Sequence, residues 1–396
     1  MNILQVSHSF YPCYKAGGVV KVVYEISRSL IKRGHNVTIV TTDGCTPRLV
    51  VKTNAEINIE RMRVWYLKNI SNYLRVKFKI ATPYFLPIFI KRYIKQFDII
   101  HIHEHRTFLA IIICHYAKKY GILYVVQPHG SLPKIVAKQK LKMIYDVVWG
   151  NDILKNASKI IAVSRSEVEQ FRQVGIPDEK IIVIPNGVPN ISPTDIIPAG
   201  QFRERYDIHE KHIILYVGRI HKRKGIDFLI HAFNSFIQTW TGDDVTLVIV
   251  GPDDGYRSTL ENLVEQLGLS EKARFIGYAP TLTAAYQDAD VLVYPSIYEI
   301  FGLVPFEALL CGTPVIVTDD CGCGELIEEA ECGYLVHYGD VAGLSETLRK
   351  ALDHPDVNTR MVEAGRRYVE EHLAWENVVK LVEEMYENVV VPKHQC

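Results

Sequence analysis

The sequence contains no apolar run long enough to cross a bilayer, and its apolar start at Met1–Val6 is too short for a secretory signal. That start is typical of a first β-strand instead. The eight cysteines include no Cys-x-x-Cys pair, and the closest two, Cys321 and Cys323, lie in a Gly-rich turn. This spacing does not favour a metal site. We therefore expect a cytoplasmic protein whose cysteines are reduced thiols.

The net charge of zero hides an uneven distribution of charge along the chain. Residues 1–190 carry 28 Lys and Arg against 12 Asp and Glu, whereas residues 191–396 carry 17 against 33. The two halves thus have net charges of about +16 and −16. The basic half is expected to meet an anionic partner, either a membrane surface or a phosphorylated substrate.

Acidic residues are missing from the stretch 68–97, which mixes basic side chains with aromatic and aliphatic ones. This composition suits an amphipathic segment at an anionic membrane. It equally fits an ordinary helix with Phe85, Ile88 and Phe89 on its core face. A peripheral contact with the inner face of the cytoplasmic membrane and a plain core helix therefore both stay open. A second basic segment contains Lys134, Lys138, Lys140 and Lys142. No nucleic-acid recognition motif accompanies the charge, so we expect no nucleic-acid partner.

Short apolar runs alternate with helical patterns along the chain, which predicts an α/β fold with two parallel sheets of Rossmann type. The predicted strands of the first sheet are Ile3–Val6, Val37–Val40, Asp98–His103, Leu123–Gln127, Ile160–Ser164 and Ile181–Val188, the last of which ends in a turn. Those of the second sheet are Ile213–Arg219, Val245–Val250, Arg274–Gly277, Val291–Pro295 and Val315–Val317. The Pro-containing segment Pro189–Gly200 is the predicted linker. We expect the sheets to face one another across a cleft, with ligands at the carboxyl ends of the strands.

Two glycines, Gly17 and Gly18, precede the first predicted helix. Free N–H groups and close backbone approach at a helix N-terminus suit a phosphate. A plain flexible turn explains the pair nearly as well, and it is not the Gly-x-Gly-x-x-Gly fingerprint of dinucleotide-binding proteins.

Histidines mark the carboxyl ends of two predicted strands in the first half. His129 is followed by Gly130, at the mouth of the sheet, where an imidazole could donate to a developing charge. His101, His103 and His105 can share one face of an extended strand. No carboxylate pair completes a plausible metal shell there, so we expect no metal.

In the acidic second half, a run of cations stands directly after a predicted strand. Arg219 and Lys224 belong to this run, together with His221, Lys222 and Arg223. A guanidinium and an ammonium side by side would neutralise a diphosphate.

Two glutamates lie eight positions apart in the segment Tyr298–Thr318, which is predicted to form a loop, a short helix and a strand. Glu307 falls on an otherwise apolar helix, where a carboxylate needs a partner. Solvated glutamates near a helix N-terminus are the simpler explanation.

Together these motifs resemble glycosyltransferase family 4 and its GT-B architecture, and the likeness covers essentially the whole chain. The most specific marks are Glu299-x7-Glu307 around Phe301-Gly302-Leu303, and Gly218-Arg219 followed by Lys224-Gly225. The segment Ile184–Val188, His129-Gly130 and Gly17-Gly18 occur in the expected order. The tail from Trp375 resembles the family's last helix, which returns to the first domain.

The resemblance implies a retaining hexosyltransferase that uses a nucleotide-diphosphate sugar and needs no metal, and no Asp-x-Asp motif appears where one would be needed. The acceptor would be a glycan or a lipid-linked molecule. The resemblance also implies a domain 1–190 that binds the acceptor, a domain 191–374 that binds the nucleotide-sugar, and a helix 375–396 that returns to the first domain.

The resemblance also implies roles for single residues. Arg219 and Lys224 would hold the diphosphate, and Glu307 would accept the ribose hydroxyls. His129 would donate a hydrogen bond near the sugar. Glu299 and the backbone of Ile300, Phe301, Gly302 and Leu303 would contact the sugar and phosphate, and the N–H groups of Gly17 and Gly18 would approach the donor phosphate or the acceptor.

Two alternatives share this two-sheet architecture. A nucleotide-sugar epimerase would interconvert sugars without releasing nucleotide. A non-catalytic nucleotide-sugar-binding subunit would be expected to lose one of the glutamates or the cation pair, and both are present. A phosphorylase would need a pyridoxal phosphate lysine, which nothing in the sequence marks.

Overall fold

The computed structural model describes residues 1–14, 17–78, 80–132, 139–189, 198–279, 281–297 and 299–390. The chain divides into two compact units. Unit 1 consists of Met1–Gly187 and Trp375–Cys396, and unit 2 is Val188–Ala374. The predicted linker Pro189–Gly200 lies mostly outside the described residues.

The strands described in unit 1 form one sheet in the order β3-β4-β2-β1-β5-β6-β7-β8. They are β1 (Asn2–Val6), β2 (Asn36–Thr42), β3 (Glu56–Ile59), β4 (Met62–Leu67), β5 (Ile99–His103), β6 (Leu123–Gln127), β7 (Lys159–Ala162) and β8 (Ile181–Val183). All described neighbours pair in parallel except β3, which runs antiparallel to β4. The parallel strands read as apolar runs because both faces of this sheet are covered.

Helices cover the two faces of the unit 1 sheet. They are α1 (Gly18–Lys32), α2 (Asn72–Phe78), α3 (Leu86–Tyr93), α4 (Phe108–Tyr120), α5 (Gln139–Tyr145), α6 (Asn151–Lys155) and α7 (Arg165–Gln173). A π-helical turn at Asp146–Gly150 joins α5 to α6. One apolar core contains α3 and α4, and the other contains α1.

Unit 2 has its own parallel sheet, in the order β11-β10-β9-β12-β13-β14. Its strands are β9 (His212–Val217), β10 (Val245–Val250), β11 (Ala273–Gly277), β12 (Val291–Tyr294), β13 (Val315–Thr318) and β14 (Tyr334–Val336). Its helices are α8 (Gln201–Arg205), α9 (Ile226–Thr239), α10 (Arg257–Gln266), α11 (Leu282–Gln287), α12 (Val304–Cys311), α13 (Gly322–Glu329), α14 (Val341–Asp353) and α15 (Pro355–Tyr368). The strand order changes direction beside β9 and β12, where an open α/β sheet offers a binding crevice at its carboxyl edge.

The last helix, α16 (Trp375–Val390), packs on unit 1 although it follows unit 2 in the chain. Its apolar face, including Val379 and Val382, is buried in the same core as α1. Trp375 lies against Gly187, where a Cβ atom would come within 2.3 Å of the indole ring. The predicted return of the tail to the first domain is confirmed.

The structure corrects several expectations. The strands β3, β4 and β14 were missing from the prediction, and the segment Ile181–Val188, predicted as a strand that ends in a turn, forms a strand only as far as Val183. Isolated strand patterns of three to six residues are easily missed or overextended, because tertiary pairing decides where they end.

The expectation that all cysteines are reduced thiols is wrong for one pair. Cys13 and Cys45 form a disulfide, with Cα atoms 5.9 Å apart. The two cysteines are 32 residues apart in the sequence and lie in the loops that follow two neighbouring strands. The local sequence pattern therefore does not predict the bond.

Candidate functional site

The cationic segment of unit 2 forms a tight turn pressed against the end of β12. A short 3-10 turn spans Lys222–Lys224 and is capped by His221, whose Nδ1 accepts the Arg223 N–H at 3.1 Å. Gly225 then has φ +63°, and a Cβ atom on it would lie 1.9 Å from the carbonyl oxygen of Pro295. Only glycine fits both the left-handed backbone and this approach. The turn therefore places Lys224 at the carboxyl end of the sheet.

Lys224 forms an ion pair with Glu299, and Tyr294 joins them. The Lys224 ammonium contacts the Glu299 carboxylate and donates to the Tyr294 hydroxyl at 3.2 Å. Tyr294 donates to Glu299 Oε2 at 3.2 Å. The Lys224 and Glu299 side chains are 15% and 29% exposed, so the pair is half-buried yet open to a ligand. Burial and the Glu299 charge raise the pKa of Tyr294, which remains a neutral donor.

The loop after Glu299 is held in place by the turn before α13. The Gly322 N–H donates to the Glu299 carbonyl at 2.6 Å, and a Cβ atom on Gly322 would lie 1.8 Å from the carbonyl oxygen of Ile300. Gly302 has φ +82° and packs on the Tyr294 ring. Phe301 is buried, and Leu303 leads directly into α12. The backbone of 299–303 is therefore fixed at the carboxyl edge of the sheet. Tyr298 lies outside the described residues.

The two cysteines of that turn lie behind the loop. Cys321 Sγ and Cys323 Sγ are 3.0 Å apart and both are buried. Burial, strengthened by the neighbouring Cys321, raises the pKa of Cys323, which keeps it a thiol. Among the described residues there is no group of three or more His, Cys, Asp or Glu arranged to hold a metal ion.

Glu307 lies in the first turn of α12, where the helix dipole favours a carboxylate. The partner that its apolar surroundings require is present within the protein. The Tyr286 hydroxyl donates to Glu307 Oε2 at 3.2 Å. Burial and the Glu307 charge raise the pKa of Tyr286. No sequence pattern announced this partner, since Tyr286 comes from α11.

Arg219 is the exposed member of the cluster. Its side chain is 67% exposed, and Nη1 donates to Asp254 Oδ2 at 3.0 Å. Burial and the charge of Glu299 raise the pKa of Tyr216, whereas the charge of Arg219 lowers it. The Tyr216 hydroxyl donates to the Arg219 carbonyl at 3.1 Å, at the carboxyl end of β9.

In unit 1, His129 follows β6 and has a left-handed backbone, with φ +52°. Such a conformation is uncommon outside glycine and is often found at functional sites. His129 Nε2 lies 2.9 Å from His103 Nδ1. Burial lowers the pKa of His129 to about 4, so the imidazole is neutral near pH 7.

A buried glutamate anchors the turn that carries His129. Glu167 accepts the Gly130 N–H and the Val163 N–H, each at 2.8 Å. Burial raises the pKa of Glu167 to about 7, while these two hydrogen bonds act in the opposite direction. Glu104, the carboxylate whose charge acts on His129, forms an ion pair with His8.

Gly17 and Gly18 are exposed at the start of α1, and Cβ atoms added to them would meet nothing within 4 Å. The Gly17 N–H donates to the Tyr14 carbonyl at 3.1 Å, so the expectation that both N–H groups are free is wrong for Gly17. Gly18 begins the helix, where N–H groups lack partners within the helix itself.

The basic stretch 68–97 is partly core and partly surface. Phe89 is buried, Ile88 is 57% exposed, and Phe85 packs at the edge of the core. Arg75 is buried and bonds the Ser9 hydroxyl, so it is not a surface charge. Lys79 lies outside the described residues.

A second, more apolar surface follows it in the chain, on the helical segment 139–150. Six large apolar side chains there are exposed by 44% to 74%: Leu141, Met143, Ile144, Val147, Val148 and Trp149. Lys140 and Lys142 accompany them, whereas Lys134 and Lys138 lie outside the described residues. We call this surface the 141–149 patch. A cavity of about 510 Å³ adjoins it, lined mainly by apolar side chains of α4 and by Pro87, Val148 and Trp149.

No helix in the described part of the chain is both long and apolar enough to cross a membrane.

Sequence reasoning missed the three tyrosines Tyr216, Tyr286 and Tyr294, which all support charged site residues. The available signal was a tyrosine at the end of an apolar strand, as in Val291–Tyr294. A hydroxyl carried into a buried strand end must find a polar partner, and that partner is commonly a site residue.

Each unit thus holds a largely parallel sheet of Rossmann type, and in unit 2 charged residues gather at the carboxyl edge of that sheet. Solved structures share this fold: the Anabaena protein HepE in complex with UDP has a TM-score of 0.78 at 19% identity, covering 98% of this chain and all of that one. The architecture is therefore GT-B.

Sequence models of two glycosyltransferase families match the chain. The model described as Glycosyltransferase Family 4 matches residues 16–190, and the one described as Glycosyl transferases group 1 matches residues 200–368. The chain belongs to the family 4 type of glycosyltransferases and is an enzyme of that class.

Curated relatives agree with this assignment. An uncharacterized glycosyltransferase of Methanocaldococcus jannaschii is 27% identical over 95% of both chains. The N-acetyl-alpha-D-glucosaminyl L-malate synthase of Bacillus anthracis is 24% identical over 98% of this chain and 97% of its own length.

Proposed function

We propose that this enzyme transfers a hexose-type sugar from a nucleotide-diphosphate sugar to a glycan or a lipid-linked acceptor, with retention of anomeric configuration. The observation that carries the proposal is the half-buried cluster of Lys224, Glu299 and Tyr294 at the carboxyl edge of the unit 2 sheet. The structures of HepE with UDP and with UDP-glucose, which share the fold, support a donor of this kind.

The cluster suits a leaving diphosphate because its cations have partners that a ligand can replace. Lys224 is paired with Glu299 and Arg219 with Asp254. A diphosphate carries more negative charge than one carboxylate and competes for both cations. Charge builds on the leaving diphosphate as the glycosidic bond breaks, so fixed cations there stabilise the transition state. Glu299, released from Lys224, then accepts hydroxyl groups of the sugar.

Glu307 is the proposed ribose ligand. Its carboxylate lies in the first turn of α12 and accepts the Tyr286 hydroxyl at 3.2 Å. The tyrosine holds the carboxylate in place for a ligand. Paired hydroxyls on adjacent ribose carbons match the two oxygens of a carboxylate.

We also propose that the reaction needs no metal, because Arg219 and Lys224 supply the positive charge that a divalent cation would otherwise bring to the diphosphate. Retention by displacement on the same face of the sugar is supported by the state of Glu104. This carboxylate near His129 is held in an ion pair with His8 rather than presented as a nucleophile.

The test of the donor is a thermal-shift screen of nucleotide-diphosphate sugars, followed by a transfer assay with the best one. The true donor should raise the melting temperature by mass action. The transfer assay should release nucleotide, proceed equally with and without EDTA, and give a product whose anomeric configuration matches the donor by NMR. Interconversion of donor sugars without nucleotide release would show an epimerase, and binding without either reaction would show a non-catalytic subunit.

For the acceptor, we propose a lipid-linked molecule reached at an anionic membrane surface. The 141–149 patch combines exposed apolar side chains with Lys140 and Lys142, and an apolar cavity adjoins it. Anionic lipid attracts the basic unit, and the boundary of the headgroups accepts apolar side chains.

Vesicle co-sedimentation tests this contact. Binding to phosphatidylglycerol vesicles should exceed binding to phosphatidylcholine vesicles and should fall with salt. The double change Val147→Ser and Val148→Ser should weaken it. Val183→Ser is the matched control, because Val183 is also an exposed valine of unit 1, at 45%, outside the patch. Equal vesicle binding by parent, double variant and control would remove the patch from the proposal.

A further inference from the structure

Five side chains in unit 1 form an unbroken chain of hydrogen bonds that ends at His129. His129 Nε2 lies 2.9 Å from His103 Nδ1, and His103 Nε2 lies 2.7 Å from Gln5 Oε1. Gln5 Nε2 donates to the Tyr386 hydroxyl at 3.1 Å, and that hydroxyl lies 2.7 Å from His101 Nδ1. Gln5, His101, His103 and Tyr386 are at most 1% exposed, so water does not compete for these bonds.

The carboxamide of Gln5 determines which atom donates and which accepts in each of these hydrogen bonds. Its oxygen can only accept, so His103 Nε2 must carry a hydrogen. Burial lowers the pKa of His103 well below 6.5, which leaves a neutral ring with a single N–H. His103 Nδ1 is therefore an acceptor, and His129 Nε2 must be the donor. At the other end, Gln5 donates to the Tyr386 oxygen, and the Tyr386 proton is directed at His101 Nδ1.

The same direction fixes the tautomer of His101 at the far end of the chain. With its Nδ1 accepting from Tyr386, neutral His101 carries its hydrogen on Nε2. The opposite arrangement would require donor and acceptor to be exchanged in all of these hydrogen bonds at once.

We propose that His103, Gln5 and Tyr386 are positioning residues that fix His129 as the Nε2–H tautomer, so that its Nδ1 is an acceptor for a hydroxyl group of the sugar. His129 is half-buried, whereas the four side chains behind it are fully buried. The assignment replaces the hydrogen-bond donor expected from the sequence by an acceptor. It rests on the proposed function, sugar transfer, and on the position near the sugar that the family resemblance implies for His129. The C-terminal helix, through Tyr386, thus reaches the site without touching substrate.

Nitrogen-15 NMR of the imidazole rings in the full chain tests the tautomer without any substrate. At neutral pH, His129 should show a protonated Nε2 and a bare Nδ1. Tyr386→Phe keeps the ring in the core but disconnects Gln5 from His101, so both tautomers of His129 should then appear. A protonated Nδ1 in the parent protein, or an unchanged single tautomer in Tyr386→Phe, would overturn the proposal.

Kinetics provide the second measurement. Tyr386→Phe should lower kcat/KM for the nucleotide-sugar by about 2- to 10-fold, the effect of weakening one neutral hydrogen bond. Its affinity for the nucleoside diphosphate without sugar should stay at the parent value. Tyr66→Phe is the matched control, since Tyr66 is a fully buried tyrosine of unit 1 whose hydroxyl bonds a backbone carbonyl. An equal kinetic loss in the control would contradict a positioning role. If no nucleotide-sugar is a substrate, the proposed function fails while the NMR result still decides the tautomer.

Discussion

Lys224 is the residue on which the proposed chemistry depends most. Lys224→Ala should lower the turnover number. The expected loss of transition-state stabilisation is about 2–4 kcal/mol, the usual effect of removing one charge-stabilising donor. The reason is that the leaving diphosphate would lose its half-buried ammonium, and Glu299 would lose its ion-pair partner. Steady-state kinetics with the identified donor measures the loss.

Lys211→Ala is the control for this substitution. Lys211 also pairs with a carboxylate, Asp243, but both side chains are more than half exposed and lie away from the carboxyl edge of the sheet. An exposed pair contributes little, so the control should turn over at nearly the parent rate. Equal rates for parent and Lys224→Ala would exclude Lys224 from diphosphate stabilisation.

Glu307 supports a prediction about binding rather than turnover. Glu307→Ala should weaken nucleoside diphosphate binding by about 1.5–3 kcal/mol, because hydrogen bonds to a charged acceptor are lost. Calorimetric titration with the nucleoside diphosphate gives the change directly. Tyr286→Phe, which removes the hydroxyl that donates to Glu307 at 3.2 Å, should have a smaller effect. An unchanged dissociation constant for Glu307→Ala would disprove the ribose role.

At the scale of single elements, glycines decide where the site loops lie. Gly225 and Gly268 have similar backbones, with φ +63° and +69°, but different surroundings. A Cβ atom on Gly225 would collide with the Pro295 carbonyl, whereas one on Gly268 would meet nothing within 4 Å. The two positions thus separate the effect of backbone conformation from that of close approach.

We therefore expect Gly225→Ala to destabilise the protein more than Gly268→Ala. Gly268→Ala should lower the free energy of unfolding by about 1 kcal/mol, because only the left-handed backbone conformation is unfavourable there. The first adds a clash with backbone, so it should also displace Lys224 and lower turnover. Urea denaturation and kinetics on both variants measure this, and equal losses of stability would refute the close approach.

Elements also show where sequence patterns succeed. Both parallel sheets and the short helix after Glu299 were predicted, because apolar periodicity follows directly from backbone geometry. The antiparallel β3, with its half-exposed sequence, was not. Its pairing with β4 depends on a neighbour rather than on its own pattern.

At the scale of the whole molecule, the chain order and the spatial order differ. Unit 2 is one continuous segment, and the described core cluster around β9 and β10 is built from residues of that segment. Unit 1 needs both ends of the chain, since Val378, Val379 and Val382 of α16 are buried in its core. Each such side chain contributes about 1.5–3 kcal/mol by burial.

This difference predicts how fragments behave. The fragment 188–374 should unfold cooperatively on its own and bind nucleoside diphosphate. The fragment 1–187 should be markedly less stable than 1–187 supplied with 375–396, because the α16-binding face would be exposed. Circular dichroism during urea denaturation compares them. A fragment 1–187 with the same midpoint in the presence and absence of 375–396 would contradict the prediction.

The sequence alone determined the alternation of strands and helices, the two parallel sheets, the position of the cationic turn and the two glutamates. These features depend on local periodicity and on residue types at strand ends, which the chain carries wherever it folds. Only the tertiary structure decided the partners: Lys224 with Glu299, Glu307 with Tyr286, Cys13 with Cys45, and Gln5 with Tyr386 across 381 residues. Such pairs form because packing brings distant elements together, and no local pattern records which buried polar group will meet another.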